Sequence, residues 1–332
     1  HTTFVLMNAF FNFSKMIHHY KTNCTNMNQG QGIIFVSIMI VKFVKCKVKV
    51  NQVNIIFAHC TFVSTLFQVA GKSQELLIIK ASDLYSFPYK TIIKFYKKTS
   101  LIACKISSPL SFKGIKFIVF LHSEFHYDRL LLVDNSVKFN PILSIHNSQK
   151  VTIYKLYFHN HFGIVITQVN KIQVNSSTFR KCTCPLSIKS YGYFLNSISI
   201  MNTIFTENLC KKHQSAVNFD WSPSATFSSL TDLVHSNVVI LLNKVHFNKC
   251  GSTKTGGALS IVNFIDNINN RKNQGIKITC VITLSTFINN KSASKGSAMK
   301  ISNIVAIGFS QSYFFNNYAL GSGAIYIQHN IH

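Results

Sequence analysis

Residues 287–299 read Phe-Ile-Asn-Asn-Lys-Ser-Ala-Ser-Lys-Gly-Ser-Ala-Met, and residues 314–325 repeat the pattern as Phe-Phe-Asn-Asn-Tyr-Ala-Leu-Gly-Ser-Gly-Ala-Ile. Each stretch sets a phenylalanine three places before an asparagine, and an alanine with an aliphatic neighbour about eleven places after the phenylalanine. Four more copies begin at the phenylalanines Phe158, Phe179, Phe205 and Phe247. Recurrence on this scale indicates stacked units that contact only their neighbours, and not one globular core.

The spacing of these copies predicts the kind of stack. Successive phenylalanines are 21, 26, 42, 40 and 27 residues apart. The two long intervals contain polar loops at about residues 220–235 and 263–275, and removing about fifteen residues from each restores a period near 25. A solenoid tolerates such insertions because a loop can leave the stack at one point of the repeat. Coils of this length with two or three short strands are typical of a parallel β-helix.

The remaining patterns agree with an all-β chain. Short runs rich in β-branched and aromatic residues follow one another, without a sustained helical period. No Asn-Gly or Asp-Gly turn occurs, whereas a β-sandwich, the alternative, needs hairpins. We therefore predict a right-handed, single-stranded parallel β-helix over residues 33–332, with clear repeats over 151–332. Residues 1–32 are predicted to be an irregular N-terminal segment, and we expect the chain to be a fragment of a longer protein.

The repeat also predicts roles for its residues. The phenylalanines are expected to stack inside the helix, from coil to coil. Asparagine tolerates left-handed backbone and can form amide ladders, so it suits a corner. The residues predicted at that corner are Asn208, Asn290 and Asn317, with Cys182 and Cys250 in the same slot. Glycine is expected to supply positive φ at the next corner, before buried alanines at 216, 258, 298 and 324.

The pair Phe-x-x-Asn and Gly-Gly-Ala-(Ile/Leu) resembles the repeats of the chlamydial polymorphic outer-membrane proteins. Phe205/Asn208, Phe287/Asn290 and Phe314/Asn317 match the first element, and residues 256–259 match the second. Gly296-Ser297-Ala298-Met299 and Ser322-Gly323-Ala324-Ile325 match it with one serine for glycine. The resemblance covers about residues 151–332 and implies a β-helix that serves as the surface-displayed part of an adhesin. Nothing in the chain resembles the membrane anchor of that family.

The charge suggests a class of partner. The formal net charge is +25, carried almost entirely by lysine, since only three arginines occur. The lysines look scattered, as in Lys94, Lys97 and Lys98, and lysines on strand edges also hinder aggregation. We interpret most of them as solvated side chains and predict that any polyanion partner is an anionic glycan or another cell-surface partner. No motif for sequence-specific nucleic-acid recognition is present.

The nine cysteines are an odd number, which leaves buried thiols and disulfides between coils as alternatives. Four glycosylation sequons begin at Asn12, Asn23, Asn175 and Asn290, and favour a secreted setting. Asn290 is expected to point inward and to stay unmodified. No apolar run has the length of a transmembrane helix.

Parallel β-helices can also carry catalytic sites for polysaccharides, which need clustered carboxylates. The chain has nine acids, and the only local group is Glu124, Asp128 and Asp134, with His122 and His126. We interpret that group as a solvated loop, and the His159/His161 pair as surface residues. The sequence thus assigns no catalytic, metal-binding or cofactor-binding residue and leaves the ligand unknown.

We predict a non-catalytic, extracellular or cell-surface repeat protein with a structural, adhesive or glycan-binding role. One alternative is a carbohydrate-active enzyme of the lyase or glycosidase type on the same fold. Another is a degenerate fragment without function.

Overall fold

The computed structural model of the chain describes residues 4–7, 10–13, 32–44, 47–50, 54–63, 66–69, 76–85, 91–94, 96–107, 109–126, 143–160, 162–191, 197–210, 215–222, 237–253, 256–263 and 277–328. These residues form strands, turns and bends, with no helix among them. The chain divides into two units, His1–Phe158 and His159–His332.

The first unit contains strands β1 to β15 and most of β16. Their bounds are β1 Phe4–Met7, β2 Phe10–Phe13, β3 Gly32–Val44, β4 Lys47–Val50, β5 Asn54–Val63, β6 Leu66–Val69, β7 Leu76–Lys80, β8 Asp83–Tyr85, β9 Thr91–Lys94, β10 Lys98–Ile102, β11 Lys105–Ile106, β12 Leu110–Lys113, β13 Phe117–Leu121, β14 Glu124–His126, β15 Leu143–Tyr154 and β16 Tyr157–His159.

The second unit contains β17 to β35. Their bounds are β17 Phe162–Asn175, β18 Thr178–Arg180, β19 Thr183–Tyr191, β20 Ser197–Met201, β21 Ile204–Thr206, β22 Leu209–Cys210, β23 Val217–Ser222, β24 Asn237–Asn243, β25 His246–Asn248, β26 Gly251–Ser252, β27 Leu259–Asn263, β28 Lys277–Thr283, β29 Thr286–Ile288, β30 Lys291–Ser292, β31 Met299–Ser302, β32 Ala306–Ser310, β33 Tyr313–Phe315, β34 Tyr318–Ala319 and β35 Ile325–Gln328.

Strands of the second unit pair in parallel with the equivalent strand of the next coil, on four faces. The first face runs β17-β20-β24-β28-β32 and the second β18-β21-β25-β29-β33. The third face runs β22-β26-β30-β34 and the fourth β19-β23-β27-β31-β35. The chain therefore makes one strand of each face per turn, which confirms the predicted parallel β-helix.

The first unit follows the same rule, with three faces in its best-described coils. One face runs β7-β10-β13 and continues into the second half of β15. Another runs β8-β11-β14, and the last runs β9-β12 into the first half of β15. All of these pairs are parallel, so equivalent side chains lie at successive levels about 4.8 Å apart. The strands β1 and β2 lie within residues 1–32 and pair in parallel with β3 and β4.

The phenylalanines stack as the sequence predicts. Strand register aligns Phe205, Phe247, Phe287 and Phe314, with Phe179 one level before them. Successive ring centroids are 4.8, 5.1, 4.9 and 4.7 Å apart, and the rings are within 17° of parallel. These rings form a continuous inner column and remove a large apolar area from water.

The asparagines differ from their predicted role in one respect. Positive φ belongs to the residue before each of them, at Glu207, Asn289 and Asn316, and not to Asn208, Asn290 or Asn317 themselves. The prediction of left-handed asparagines is therefore wrong by one position. The physical reason is that the asparagine amide points inward, where it serves the backbone of the preceding coil.

Asn208 shows how this works. Its Oδ1 accepts a hydrogen bond from the backbone N–H of Cys182 at 2.8 Å, and its Nδ2 donates to the carbonyl of Phe179 at 3.0 Å. These two groups bracket Lys181, the left-handed corner of the coil before. The later asparagines repeat the contacts: Asn290 with Cys250 N–H (2.9 Å) and Phe247 C=O (3.3 Å), and Asn317 with Asn290 N–H (3.0 Å) and Phe287 C=O (2.8 Å).

A second column of hydroxyls at the other corner was not predicted. Ser285 Oγ donates to the carbonyl of Thr283 at 2.8 Å and accepts from the N–H of Val245 in the coil before, at 3.1 Å. Ser123 and Ser312 make the same pair of contacts. Each of these residues follows a residue with positive φ. The signal was present in the sequence, because Ser or Thr stands two places before Phe179, Phe205 and Phe287.

Glycine and alanine fill the remaining corner as predicted. Gly256 and Gly296 have φ of +66° and +62°. A Cβ at Gly257 would collide with the carbonyl oxygens of Ser297 and Lys291. The alanines at 216, 258 and 298 are fully buried, whereas Ala324, on the last described coil, is only half-buried.

Candidate binding surface

Two of the described carboxylates belong to one charged column of the first unit. Asp83, Lys105 and Glu124 are in register on β8, β11 and β14, with their side chains on the outer face. Lys105 therefore stands between the two acids, at neighbouring levels. This alternation of sign stabilises the outer face and leaves no pair of adjacent carboxylates there.

Glu207 is also placed beside cations. Its carboxylate lies 3.5 Å from the guanidinium of Arg180 and 3.7 Å from the ammonium of Lys181. All three side chains are partly exposed, so each pair contributes little to stability.

Asp220 lies within strand β23, at the edge of the predicted loop. Burial raises the pKa of its carboxyl, while a 2.6 Å hydrogen bond from Asn218 and the charges of Lys189 and Lys300 lower it. Burial dominates, so Asp220 holds a proton more readily than an ordinary aspartate.

The predicted group around Glu124 is only partly visible. His122 occupies a left-handed corner, and its ring packs edge-on against Tyr154 at 5.7 Å. Glu124 is exposed on β14. Asp128, Asp134 and His161 and the side chain of His126 lie outside the described residues. Within the described ranges, no three His, Cys, Asp or Glu residues are placed to hold a metal ion.

None of the six cysteines whose side chains are described forms a disulfide, and five of the six are buried. Burial raises the pKa of Cys104, Cys250 and Cys280 to about 12, and that of Cys210 well above its usual value. Thiols in this state are poor nucleophiles at neutral pH. Cys182 and Cys250 occupy the asparagine slot as predicted, and Cys250 Sγ donates to the carbonyl of Phe205 at 3.4 Å.

Two sequons have asparagines that already serve the fold. Asn290 is fully buried, as predicted. Asn175 Oδ1 accepts hydrogen bonds from Ser176 Oγ at 3.1 Å and from Asn202 Nδ2, in the next coil, at 3.1 Å.

The lysines of the first unit are less scattered than their sequence positions suggest. Register places Lys94 beside Lys113, and Lys98 beside Phe117 and then Lys150. The backbone N–H of Phe117 donates to the carbonyl of Lys97, and that of Lys150 donates to the carbonyl of Lys116, so Lys97 and Lys116 lie next to the following coil. Six lysines on three successive coils thus surround one corner of the helix. We call this set the lysine corner: Lys94, Lys97, Lys98, Lys113, Lys116 and Lys150.

A backbone turn and the buried residues beside it place these lysines on the outer surface. Gly114, at φ +62°, turns the chain between β12 and β13. Ile115 and Tyr96 are buried at the turn, so the flanking residues Lys113, Lys116 and Lys97 are forced outward. Within the described ranges, none of the six lysines has a carboxylate within ion-pair distance.

A shallow cavity of about 430 Å³ adjoins the lysine corner on the outer face of β7, β10, β13 and β15. Its apolar floor includes Leu76, Phe117 and Val119, all partly exposed. Lys97, Lys98 and Lys150 also line the cavity. The surface combines positive charge with a small apolar floor. The surface is not evident from the sequence, because the equivalent positions Lys98, Phe117 and Lys150 are 19 and then 33 residues apart along the chain.

No protein-family profile matches the chain, and no curated protein matches it in sequence. Solved structures with a similar fold include a periplasmic alginate epimerase, AlgG, at 8% identity and a TM-score of 0.39, covering 93% of this chain and 85% of that one. A second is PfbA, a surface adhesin of Streptococcus pneumoniae, at 9% identity and a TM-score of 0.32, covering 95% of this chain and 83% of that one. In the part of the chain that the structure describes, no helix could span a membrane.

Proposed function

We propose that the chain is a non-catalytic β-helix protein of the cell surface or extracellular space that binds anionic glycans. In this proposal its repeats are of the chlamydial polymorphic outer-membrane-protein type, and the helix is a scaffold that displays side chains at fixed levels. The observation that carries the proposal is the lysine corner. Its six cations have no carboxylate partner among the described residues, whereas Glu207, Asp83 and Glu124 all lie next to cations.

Uncompensated lysines on a rigid face raise the local concentration of polyanions. A polyanion therefore gains favourable contacts there without first displacing an internal carboxylate. The rigid parallel stack also fixes the spacing of the charges, which limits the entropy lost on binding.

The test is a binding titration with purified protein. Isothermal calorimetry with a heparin-derived oligosaccharide, an oligouronate and a neutral oligosaccharide of equal length should give binding to the two acidic glycans alone. Affinity should fall steeply when NaCl is raised. Absence of binding to both acidic glycans at low salt would remove the proposal.

Asp220 favours one alternative, a carbohydrate-active enzyme. A half-buried carboxyl with a raised pKa can act as a general acid or base on a sugar substrate. Incubation with acidic and neutral polysaccharides, with and without calcium, tests this by release of unsaturated or reducing ends. Turnover that disappears in Asp220→Asn, or in Asp128→Ala, would establish the enzyme and overturn the non-catalytic proposal.

A further inference from the structure

We infer that the lysine corner and the adjoining cavity form one glycan site, which takes a linear glycan bearing a carboxylate or sulfate on successive sugars. The glycan lies along the stack of coils, across β10, β13 and β15. This inference rests on the proposed function and adds to it the location of the site, its ligand class and the direction of the bound chain.

The direction follows from the register. Lys98, Phe117 and Lys150 occupy equivalent positions on three successive coils, and Lys97 and Lys116 precede the first two of them. Neighbouring levels are about 4.8 Å apart, so the cations form a short row parallel to the helix axis. An acidic glycan that repeats its charge along an extended chain matches this row better than a compact anion does.

The cavity floor supplies the second half of the site. The Phe117 ring is half-exposed between Lys98 and Lys150, and Val119 lies beside Thr152 on the next strand. One face of a pyranose ring consists of C–H groups, which pack on an aromatic or aliphatic surface while the charged substituents reach outward. The site thus offers apolar contact under the sugar and cations beside its acidic group.

The same features disfavour two other polyanions. The cavity lining includes a single aromatic ring, Phe117, which provides no row of platforms for successive bases of a nucleic acid. A membrane surface needs apolar side chains that protrude, and here the apolar residues form the floor of a cavity between lysines.

The first experiment removes equal charge from two places. The site variant carries Lys98→Gln, Lys116→Gln and Lys150→Gln. The control variant carries Lys249→Gln, Lys277→Gln and Lys291→Gln, three exposed lysines of the second unit. Far-UV circular dichroism and the thermal midpoint confirm that both are folded. Affinity for the heparin-derived oligosaccharide should fall at least about tenfold in the site variant and less than about threefold in the control.

The second experiment separates apolar contact from charge. Phe117→Ala should weaken binding about three- to tenfold and leave the dependence of affinity on NaCl unchanged, because no cation is removed. The site triple variant should flatten that dependence. Phe315→Ala, which alters an exposed phenylalanine of the second unit, is the matched control and should have no effect.

The outcomes separate an error in the location of the site from an error in the proposed glycan binding. Wild-type binding with equal losses in both triple variants would mean a diffuse charge effect, and would overturn the site while leaving glycan binding intact. Absence of wild-type binding would overturn both. Comparable binding to single-stranded DNA, or to phosphatidylcholine vesicles only when they contain phosphatidylserine, with the same loss in the site variant, would overturn the glycan as the ligand class.

Discussion

The buried asparagines work through backbone groups that do not belong to their own coil. Each amide supplies a donor and an acceptor to the two sides of the preceding corner, as Asn290 does for Phe247 and Cys250. A left-handed corner interrupts the ladder between coils, and an unpaired buried N–H or C=O is costly. Asparagine recurs because a single short side chain carries both groups.

Asn290→Ala should therefore lower the free energy of unfolding by about 2–4 kcal/mol, since it removes the partners of buried backbone groups of the preceding coil, Phe247 C=O and Cys250 N–H. Urea denaturation followed by circular dichroism measures this. Asn237→Ala, at the exposed start of β24, is the control and should change stability by less than about 0.5 kcal/mol. Equal effects in the two variants would mean that the amide contacts do not stabilise the corner.

The corner residues themselves are chemically varied. Leu284 has φ +50° and a 41% exposed side chain, although leucine gains nothing from a left-handed conformation. Leu284→Asn should raise the free energy of unfolding by about 0.5–1 kcal/mol, because asparagine tolerates this backbone better. Leu209→Asn replaces an exposed leucine on the extended strand β22 and should bring no such gain. A loss of stability in Leu284→Asn would contradict this account.

At the scale of elements, the short strands β18, β21, β25, β29 and β33 hold the phenylalanine column. Three-residue strands are marginal on their own, and stacking between coils stabilises them. The Phe287 ring touches a neighbour on each side, at 4.9 and 4.7 Å. Loss of one ring therefore affects three coils.

Phe287→Ala should destabilise the second unit by about 3–5 kcal/mol, through lost burial and a cavity. Phe287→Leu should cost less, because it keeps much of the burial and loses the ring stacking. The unfolding midpoint in urea measures both. Phe315 is 55% exposed, so Phe315→Ala should lower the free energy of unfolding by less than about 1 kcal/mol. A loss as large as that of Phe287→Ala would contradict the phenylalanine column as the stabilising feature.

Strand β28 carries a thiol that links stability to pH. Cys280 lies in register with Ile240 and Ile307, and burial raises its pKa from 9.0 to about 12. The unfolded thiol loses its proton first, so the thiol's contribution is fully present below pH 9 and declines as pH rises towards about 12. Between about pH 8 and 10.5, the free energy of unfolding of the wild type should therefore fall by about 2 kcal/mol relative to that of Cys280→Ala. A difference that stays constant with pH would contradict a buried, protonated thiol.

For the whole molecule, the net charge of +25 is the dominant electrostatic fact. Lysines held at adjacent levels repel one another more strongly than in an unfolded chain, and salt screens that repulsion. Raising NaCl from about 20 to about 300 mM should increase the thermal midpoint by about 2–4 °C. A variant with all six residues of the lysine corner changed to Gln should show a smaller increase. A midpoint that falls with salt would mean that attractive ion pairs dominate.

By itself, the sequence determined the parallel β-helix, the phenylalanine column and the slot shared by Asn208, Cys250 and Asn290. These features depend on contacts between neighbouring coils, so they recur at a period that can be read along the chain. The hydroxyl column at Ser285 had a readable signal as well, because Ser or Thr stands two places before Phe179, Phe205, Phe287 and Phe314.

Only the tertiary structure decided which residue adopts positive φ at each corner and which lysines lie close together on adjacent coils. Glu207, Lys249 and Leu284 all adopt positive φ because the hydrogen bonds of adjacent coils impose it, against their own preferences. The lysine corner joins residues from 94 to 150 through the register of successive coils. Unequal spacing along the chain hides that register in the sequence, and folding restores it by placing equivalent residues one level apart.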